Sequence, residues 1–162
     1  KPEMKTPNRE KFEQYSKGWN LIQNQEPRTK FRSWQGDSTP PSGSLPAQVA
    51  HKLVSTLWPE LSMAMHHRLL EAYFSENRTI SDWDVLAELV SEIGEDPSCF
   101  LHELEAQKGD LADQVISEHN DAVNQGITAV PTTLINKVLP VPGAQESETY
   151  INWIERIIER SE

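Results

Sequence analysis

The sequence predicts an α/β chain in which helices dominate and the sheet is incomplete. From Leu45 to Gln125 apolar residues recur at spacings of three and four, which is typical of amphipathic helices. Two short runs, Thr132–Ile135 and Val138–Val141, flank the turn residues Asn136 and Lys137 and predict a β-hairpin. The closing stretch Glu146–Arg160 returns to helical spacing.

Length, charge and cysteine content limit the classes of protein that this chain can belong to. It has 162 residues and a formal net charge of −10, from 15 basic and 25 acidic residues. This balance argues against a nucleic-acid partner and against an anionic membrane surface, because both need clustered Lys and Arg. No apolar run approaches the roughly 18 residues of a membrane span. Cys99 is the single cysteine, which excludes a disulfide scaffold and an internal Cys-x-x-Cys pair.

The first 44 residues form a connecting region. Phe12, Tyr15, Trp19 and Ile22 fall at spacings of three or four and predict one short amphipathic helix. The stretch 25–44 contains glycines and prolines typical of a loop, with a short extended piece predicted at Lys30–Trp34.

Five helices are expected between this region and the hairpin. Ser44 caps the first, which Pro59 ends, and Ser81 caps the third, which ends at Gly94. The five predicted ranges are 45–57, 60–74, 81–93, 96–104 and 110–125. We divide the chain into residues 1–44, a helical part at 45–109 and a C-terminal part at 110–162.

The hairpin needs a partner strand. An isolated two-stranded hairpin is marginal in water, and Lys30–Trp34 is the only other candidate strand in the sequence. Either another chain completes the sheet, or the sequence is a piece of a longer one. We favour the second interpretation.

The C-terminal residues resemble those of a known family. The run from Gly126 to Asn136, which contains Val130-Pro131, is followed by Pro142-Gly143-Ala144-Gln145 and an amphipathic helix. This order resembles the end of a thioredoxin-like domain of the DsbA family. The run LEAYFSENRTISD from Leu70 to Asp82 is similar to the FrnE-like branch, whose members are bacterial, cytoplasmic dithiol-disulfide isomerases.

The resemblance implies a thioredoxin-like fold with a helical insert at 45–109, and a thiol–disulfide oxidoreductase activity in the cytoplasm. In that family a first strand leads into a Cys-x-x-Cys motif, and nothing in this chain corresponds to it. The resemblance therefore implies no catalytic residue in this chain, no cofactor, and no redox activity of the chain alone. The partner it implies is a peptide or protein with a thiol or disulfide.

Val130, Pro131 and Thr132 are the substrate-binding residues that the resemblance implies. The proline of this loop is cis in the thioredoxin fold, and the residue before it pairs through its backbone with an extended substrate. Without the resemblance, Pro131 would be a trans proline that separates a helix from a strand.

The remaining reactive or aromatic residues have structural explanations. Cys99 follows Pro97 in the first turn of a helix, where we expect a partly buried apolar role rather than a nucleophile. The adjacent His66 and His67 point about 100° apart on a helix, so no metal site is expected. Trp34 and Trp58 are the two tryptophans that could line a substrate groove, although core packing is the simpler expectation.

Two other functions stay open. One is a glutathione-dependent isomerase or transferase of the kappa or 2-hydroxychromene-2-carboxylate isomerase type. The other is a non-catalytic thioredoxin-like module that binds a peptide or forms a homodimer through its open sheet edge.

Overall fold

The computed structural model describes residues 7–159, which form seven α-helices, two short 3-10 turns and one β-hairpin. The helices are α1 Arg9–Ser16, α2 Trp19–Gln25, α3 Leu45–Leu57, α4 Ser62–Phe74, α5 Trp83–Glu92, α6 Pro97–Asn124 and α7 Ser147–Glu159. The strands are β1 Thr132–Ile135 and β2 Leu139–Pro142. The predicted end of the last helix, Arg160, lies outside the described residues. The chain divides into two compact units, the first ending at Val115 and the second beginning at Ile116.

The core of the first unit, which we call the helical unit, is formed by α3, α4, α5 and the first half of α6. Their apolar stripes meet because residues three and four apart share a helix face. Leu53, Val54, Met65, Leu86 and Phe100 are fully buried there. This is the only buried hydrophobic cluster found among residues 7–159.

Two helix boundaries differ from the prediction. The single N-terminal helix that we predicted is wrong, since the chain breaks at Lys17 and Gly18 into α1 and α2. The gap predicted between residues 104 and 110 is also wrong, because α6 continues through Gly109. An interior glycine costs only about 1 kcal/mol relative to alanine, which a long helix packed on a core tolerates.

The start of α5 shows how side chains end one segment and begin the next. Asp82, rather than the predicted Ser81, caps the helix, with its carboxylate accepting from the backbone N–H of Asp84 at 2.9 Å. The Ser81 hydroxyl instead accepts from the N–H of Ser42 at 3.1 Å. Ser81 therefore fastens the preceding loop to the helical unit.

Aromatic rings attach the N-terminal helices to α4. Trp19 packs edge-on against Phe74 with ring centroids 5.0 Å apart, and Phe12 packs edge-on against Trp34 at 5.3 Å. Trp34 is only 3% exposed, and its indole N–H donates to the carbonyl of Ser38. The suggestion that Trp34 lines a groove is therefore wrong, and Trp58 packs against the core of the helical unit.

The predicted extended piece at Lys30–Trp34 is not a strand. The N–H of Arg32 donates to the carbonyl of Phe74 at the end of α4, at 2.9 Å. The buried side chain of Asn77 holds the same segment, accepting from the N–H of Gln35 at 3.1 Å and donating to the carbonyl of Arg32. These contacts bind the segment to a helix end, so it cannot complete the sheet.

The second unit contains the end of α6, the hairpin and α7. The strands are antiparallel, with Thr132 opposite Pro142 and Ile135 opposite Leu139. The turn therefore has three residues instead of the predicted two, and β2 begins at Leu139 rather than Val138. Asn136 and Lys137 both have positive φ, at 51° and 59°. Val141 is the only hydrophobic residue of this unit that is buried among those described.

Two glycine substitutions should change stability in opposite directions. Gly109 lies inside α6 with open space where an added methyl group would point, so Gly109→Ala should raise the free energy of unfolding by about 1 kcal/mol. Gly94 also has open space, but its φ of +99° disfavours any side chain, so Gly94→Ala should lower that free energy by about 1 kcal/mol. Urea titration followed by circular dichroism measures both. A loss of stability in Gly109→Ala would contradict a continuous α6.

The aromatic packing should make stability depend on pH in the alkaline range. Burial, with a smaller contribution from Tyr15, raises the pKa of Tyr73 from 10.0 to about 12. The neutral phenol is thus favoured in the folded state, so its stabilisation is complete below pH 10 and is lost as the pH rises towards 12. Unfolding curves of the native protein and of Tyr73→Phe measured from pH 9 to 12 should diverge above pH 10. Parallel curves would show that the phenol is not buried.

Candidate functional site

The segment Ala129–Thr132, which we call the proline loop, joins the end of α6 to β1. Gly126, with φ of +83°, ends the helix, and the N–H of Ile127 donates back to the carbonyl of Ala122 at 3.0 Å. This hydrogen-bond pattern at a left-handed glycine is a common helix C-cap. The chain then enters the hairpin through the proline loop.

Two hydrogen bonds hold the proline loop in shape. The hydroxyl of Thr132 donates to the carbonyl of Ala129 at 2.6 Å, which closes the loop on itself. The N–H of Gly143 donates to the carbonyl of Pro131 at 2.7 Å, which ties the loop to the end of β2. The peptide bond between Val130 and Pro131 is cis. The first residue of β1 and the end of β2 thus position the loop.

Val130 is a highly accessible part of this loop. Its side chain is 91% exposed, which is unusual for a branched apolar residue. Among residues 7–159, neither its backbone N–H nor its carbonyl has a hydrogen-bond partner. An exposed donor and acceptor on one residue can pair with an extended segment as one step of a β-ladder. The loop can therefore hold a peptide, but none of its side chains can act as a nucleophile on sulfur.

The sequence analysis did not predict that Gly143 and Gln145 help to hold the proline loop. The amide of Gln145 donates to the carbonyl of Pro142 at 2.8 Å, next to the Gly143 N–H that occupies the Pro131 carbonyl. Both residues belong to the run that carries the family resemblance, but they were not predicted as members of the site. Their position directly after the hairpin was the available signal, because an antiparallel pair brings that position beside the start of β1.

A cavity lies between the hairpin turn and α7. This cavity has a volume of about 330 Å³. Its lining is mostly apolar with one guanidinium, that of Arg156, which lies 5.7 Å from the ring of Trp153. The lining residues are Ile135, Asn136, Val138, Leu139, Trp153, Arg156 and Ile157.

Cys99 is exposed rather than partly buried as we expected. It lies in the first turn of α6, where Phe100 and Leu104 take the inward positions. Its thiol therefore faces solvent without contributing to the core.

The histidines do not gather into a ligand set. The rings of His51 and His66 are 5.8 Å apart, as are those of His66 and His67. The imidazole of His51 is hydrogen-bonded to the backbone of Ser62, with Nε2 lying 3.2 Å from the carbonyl oxygen. Within the described part of the chain, no group of three His, Cys, Asp or Glu residues could hold a metal ion.

Arg68 and Glu92, whose pKa values are displaced, belong to an ion-pair network in the helical unit and not to the proline loop. Arg68 and Arg78 both pair with Glu92, and Arg68 also pairs with Glu76 at 2.6 Å. Burial alone would raise the pKa of Glu92, but hydrogen bonds from the two arginines outweigh it and lower the pKa. The ion pairs therefore keep Glu92 and the two arginines charged, so none of them is a general acid or base.

The sequence matches the family model of the DSBA-like thioredoxin domain over residues 39–155. The chain belongs to the DsbA-like thioredoxin family. The predicted thioredoxin-like fold with mostly helical content is confirmed.

Two solved structures share this fold. They are those of the cytosolic disulfide reductase DsbM from Pseudomonas aeruginosa, one of them with GSH. The structure with GSH has a TM-score of 0.54 and 23% identity, over 76% of this chain and 61% of DsbM. The other has a TM-score of 0.51 and 22% identity, over 79% of this chain and 60% of DsbM.

A sequence relative covers less of the chain. The uncharacterised protein YwbO of Bacillus subtilis (strain 168) is 32% identical over 84 residues, which are 51% of this chain and 40% of YwbO. The chain thus spans less than two thirds of the length of the relatives that it matches. No helix formed by residues 7–159 is long and apolar enough to cross a membrane.

Amide hydrogen exchange should distinguish the two backbone groups of the loop. The N–H of Gly143 is bonded to Pro131 and should exchange at least about tenfold more slowly than an unprotected amide. The N–H of Val130 has no described partner and should exchange at close to the unprotected rate. Exchange followed by NMR resolves both residues. A protected Val130 amide in the isolated chain would show that the loop is closed to a substrate strand.

Proposed function

We propose that the complete protein is a cytoplasmic, bacterial thiol–disulfide oxidoreductase of the FrnE-like branch, and that Val130, Pro131 and Thr132 bind its substrate. The observation that carries this proposal is the exposed Val130, whose N–H and carbonyl lack partners among residues 7–159. The family of the chain supports it, and the DsbM disulfide reductases share the fold. The substrate class is an extended peptide or protein that contains a disulfide or thiol.

The chemistry needs a thiolate that this chain does not supply. We propose that a Cys-x-x-Cys pair, in a segment upstream of Lys1 in the complete protein, provides it. Its first thiolate attacks one sulfur of the substrate disulfide, the S–S bond breaks, and the other sulfur leaves as a thiolate. The second cysteine then attacks the mixed disulfide, which releases the reduced substrate and leaves the Cys-x-x-Cys pair oxidised.

The loop's part in this reaction is to position the substrate. Pairing with the Val130 backbone fixes the direction of the bound strand. This matters because the thiolate must approach one sulfur along the line of the S–S bond that breaks. The carbonyl of Pro131 is already bonded to Gly143, so the loop offers the Val130 groups and not a longer ladder. Cys99 is not part of the proposal, because one cysteine cannot both attack and resolve.

A glutathione-linked reaction is the second candidate. The observation that favours it is that one of the DsbM structures was solved with GSH. Glutathione is a short extended peptide with a thiol, so the same loop could hold it. Saturable binding of glutathione by the complete protein, with no exchange on protein disulfides, would favour this candidate over the first.

The first test is the intact mass and N-terminal sequence of the natural product. We expect residues before Lys1 that include Cys-x-x-Cys, and reduction of insulin disulfides by that product. A natural product that begins at Lys1 would contradict the proposal, because it has no pair of cysteines.

The loop is tested in the same product with two substitutions of Val130. Val130→Pro removes the N–H that would donate to the substrate, and should lower kcat/KM for a disulfide peptide by about tenfold, the effect of one lost hydrogen bond. Val130→Ala keeps the N–H and should stay within about threefold of the parent. Cys99→Ser is the matched thiol control and should leave the rate unchanged. Equal losses in the proline and alanine variants would refute backbone pairing.

A further inference from the structure

The pair Pro131 and Gly143 extends the β1–β2 ladder by one residue into the proline loop. The register that places Thr132 opposite Pro142 places Pro131 opposite Gly143 one residue further. A hydrogen-bonded pair of an antiparallel ladder ordinarily exchanges two N–H···O bonds. Pro131 has no N–H, so this pair has only the bond of 2.7 Å from the Gly143 N–H to the Pro131 carbonyl. The proline loop is thus joined to β2 by half of an ordinary pair.

The same pair is the end of the ladder. Gly143 has a φ of +78°, outside the extended region, so the chain leaves the strand direction there. A hydrogen bond at the end of a ladder opens more easily than one inside it, because a bonded pair holds it on one side only. The direction of the Gly143 N–H therefore depends on contacts outside the two strands.

Gln145 supplies such a contact on the other side of the same peptide group. Its side-chain amide donates to the Pro142 carbonyl at 2.8 Å. The Pro142 carbonyl and the Gly143 N–H belong to one planar peptide group, so a bond that fixes the carbonyl also fixes the direction of the N–H. A hydrogen bond accepted by the carbonyl also polarises the N–H, which strengthens the bond that this N–H donates to Pro131.

The side chain of Gln145 is folded back over this peptide group. Its Nε2 lies 3.5 Å from the point where a Cβ on Gly143 would lie, although Gln145 itself is exposed to solvent. Holding a long side chain in one conformation costs conformational entropy, and the bond to Pro142 offsets that cost. The conformation of Gln145 thus serves the peptide group and not a contact with the core.

We propose that Gln145 is a positioning residue for the substrate, a role that deepens the proposed function and rests on it. Gln145 holds the peptide group between Pro142 and Gly143, which holds the Pro131 carbonyl and with it the loop that presents Val130. It acts through this chain of bonds and does not touch the substrate. Without it the loop spends less time in the shape that binds, so the apparent affinity falls while the bound complex reacts as before.

Amide exchange on the 162-residue chain tests the hydrogen-bond step. Gln145→Met removes the donor with little change in side-chain length, and Gln125→Met, at the exposed residue that follows α6, is the matched control. The protection of the Gly143 amide should fall by about fivefold in Gln145→Met, the effect of one lost hydrogen bond, and should stay unchanged in the control. The Val141 amide inside the ladder should keep its protection in both variants. Full protection of Gly143 in Gln145→Met would overturn the proposal.

Gln145→Glu adds a measurement that responds to hydrogen bonding and not to packing. Glutamate has the shape of glutamine, but its carboxylate can only accept hydrogen bonds, whereas the protonated carboxyl can donate. The protection of the Gly143 amide should therefore be low at about pH 7 and should recover below about pH 4, relative to Gln145→Met at the same pH. Equal protection in the two variants at both pH values would contradict the assignment of Gln145 as the donor.

The effect on the substrate is measured in the natural product that carries the upstream Cys-x-x-Cys pair. With a disulfide peptide, Gln145→Met should raise KM about fivefold and change kcat by less than about twofold, and Gln125→Met should change neither. An unchanged KM, or a loss confined to kcat, would overturn the positioning role. The exchange measurements need no disulfide substrate. A product that reduces no disulfide would therefore refute the proposed function while leaving the hydrogen-bond step measurable by itself.

Discussion

The need to cover apolar surface is the constraint on which the C-terminal unit depends. Residues 116–159 bury one hydrophobic side chain, Val141, while α7 leaves three isoleucines in solvent. A two-stranded hairpin gains little from its own ladder, so its stability comes from what packs on it. The proline loop is tied to this hairpin through Gly143, and its shape therefore depends on the same packing.

The helical unit shows the opposite balance. Four helices share one core, and aromatic rings attach the N-terminal helices to α4. Arg68 of α4 and Arg78 of the following loop both pair with Glu92 of α5. Each of these contacts joins residues far apart in the sequence. The helical unit has a core of its own, whereas the C-terminal unit buries little apolar surface and so depends on packing from outside it.

The proline loop is fixed in shape, but none of its residues carries a thiol. Two hydrogen bonds fix the loop, and Val130, whose backbone polar groups have no partner among residues 7–159, is almost fully exposed. Thiol–disulfide exchange separates into holding a strand and attacking its sulfur, and the loop is suited only to the first.

The sequence by itself determined the features that depend on near neighbours in the chain. Apolar spacing identified α3, α4, α5 and α7, and the hairpin followed from β-branched residues on either side of Asn136-Lys137. The site residues Val130, Pro131 and Thr132 came from the resemblance to a family, not from their own chemistry. Their use as a substrate loop remains a proposal.

Tertiary structure decided what depends on residues far apart in the chain. The burial of Trp34 against Phe12, and the exposure of Cys99 beside the buried Phe100, follow from which residues face the interior of the helical unit. The segment Lys30–Trp34 has a strand-like composition, yet Asn77 and the end of α4 bind its backbone. Local propensities differ by less than about 1 kcal/mol per residue, so burial and long-range hydrogen bonds override them wherever the two disagree.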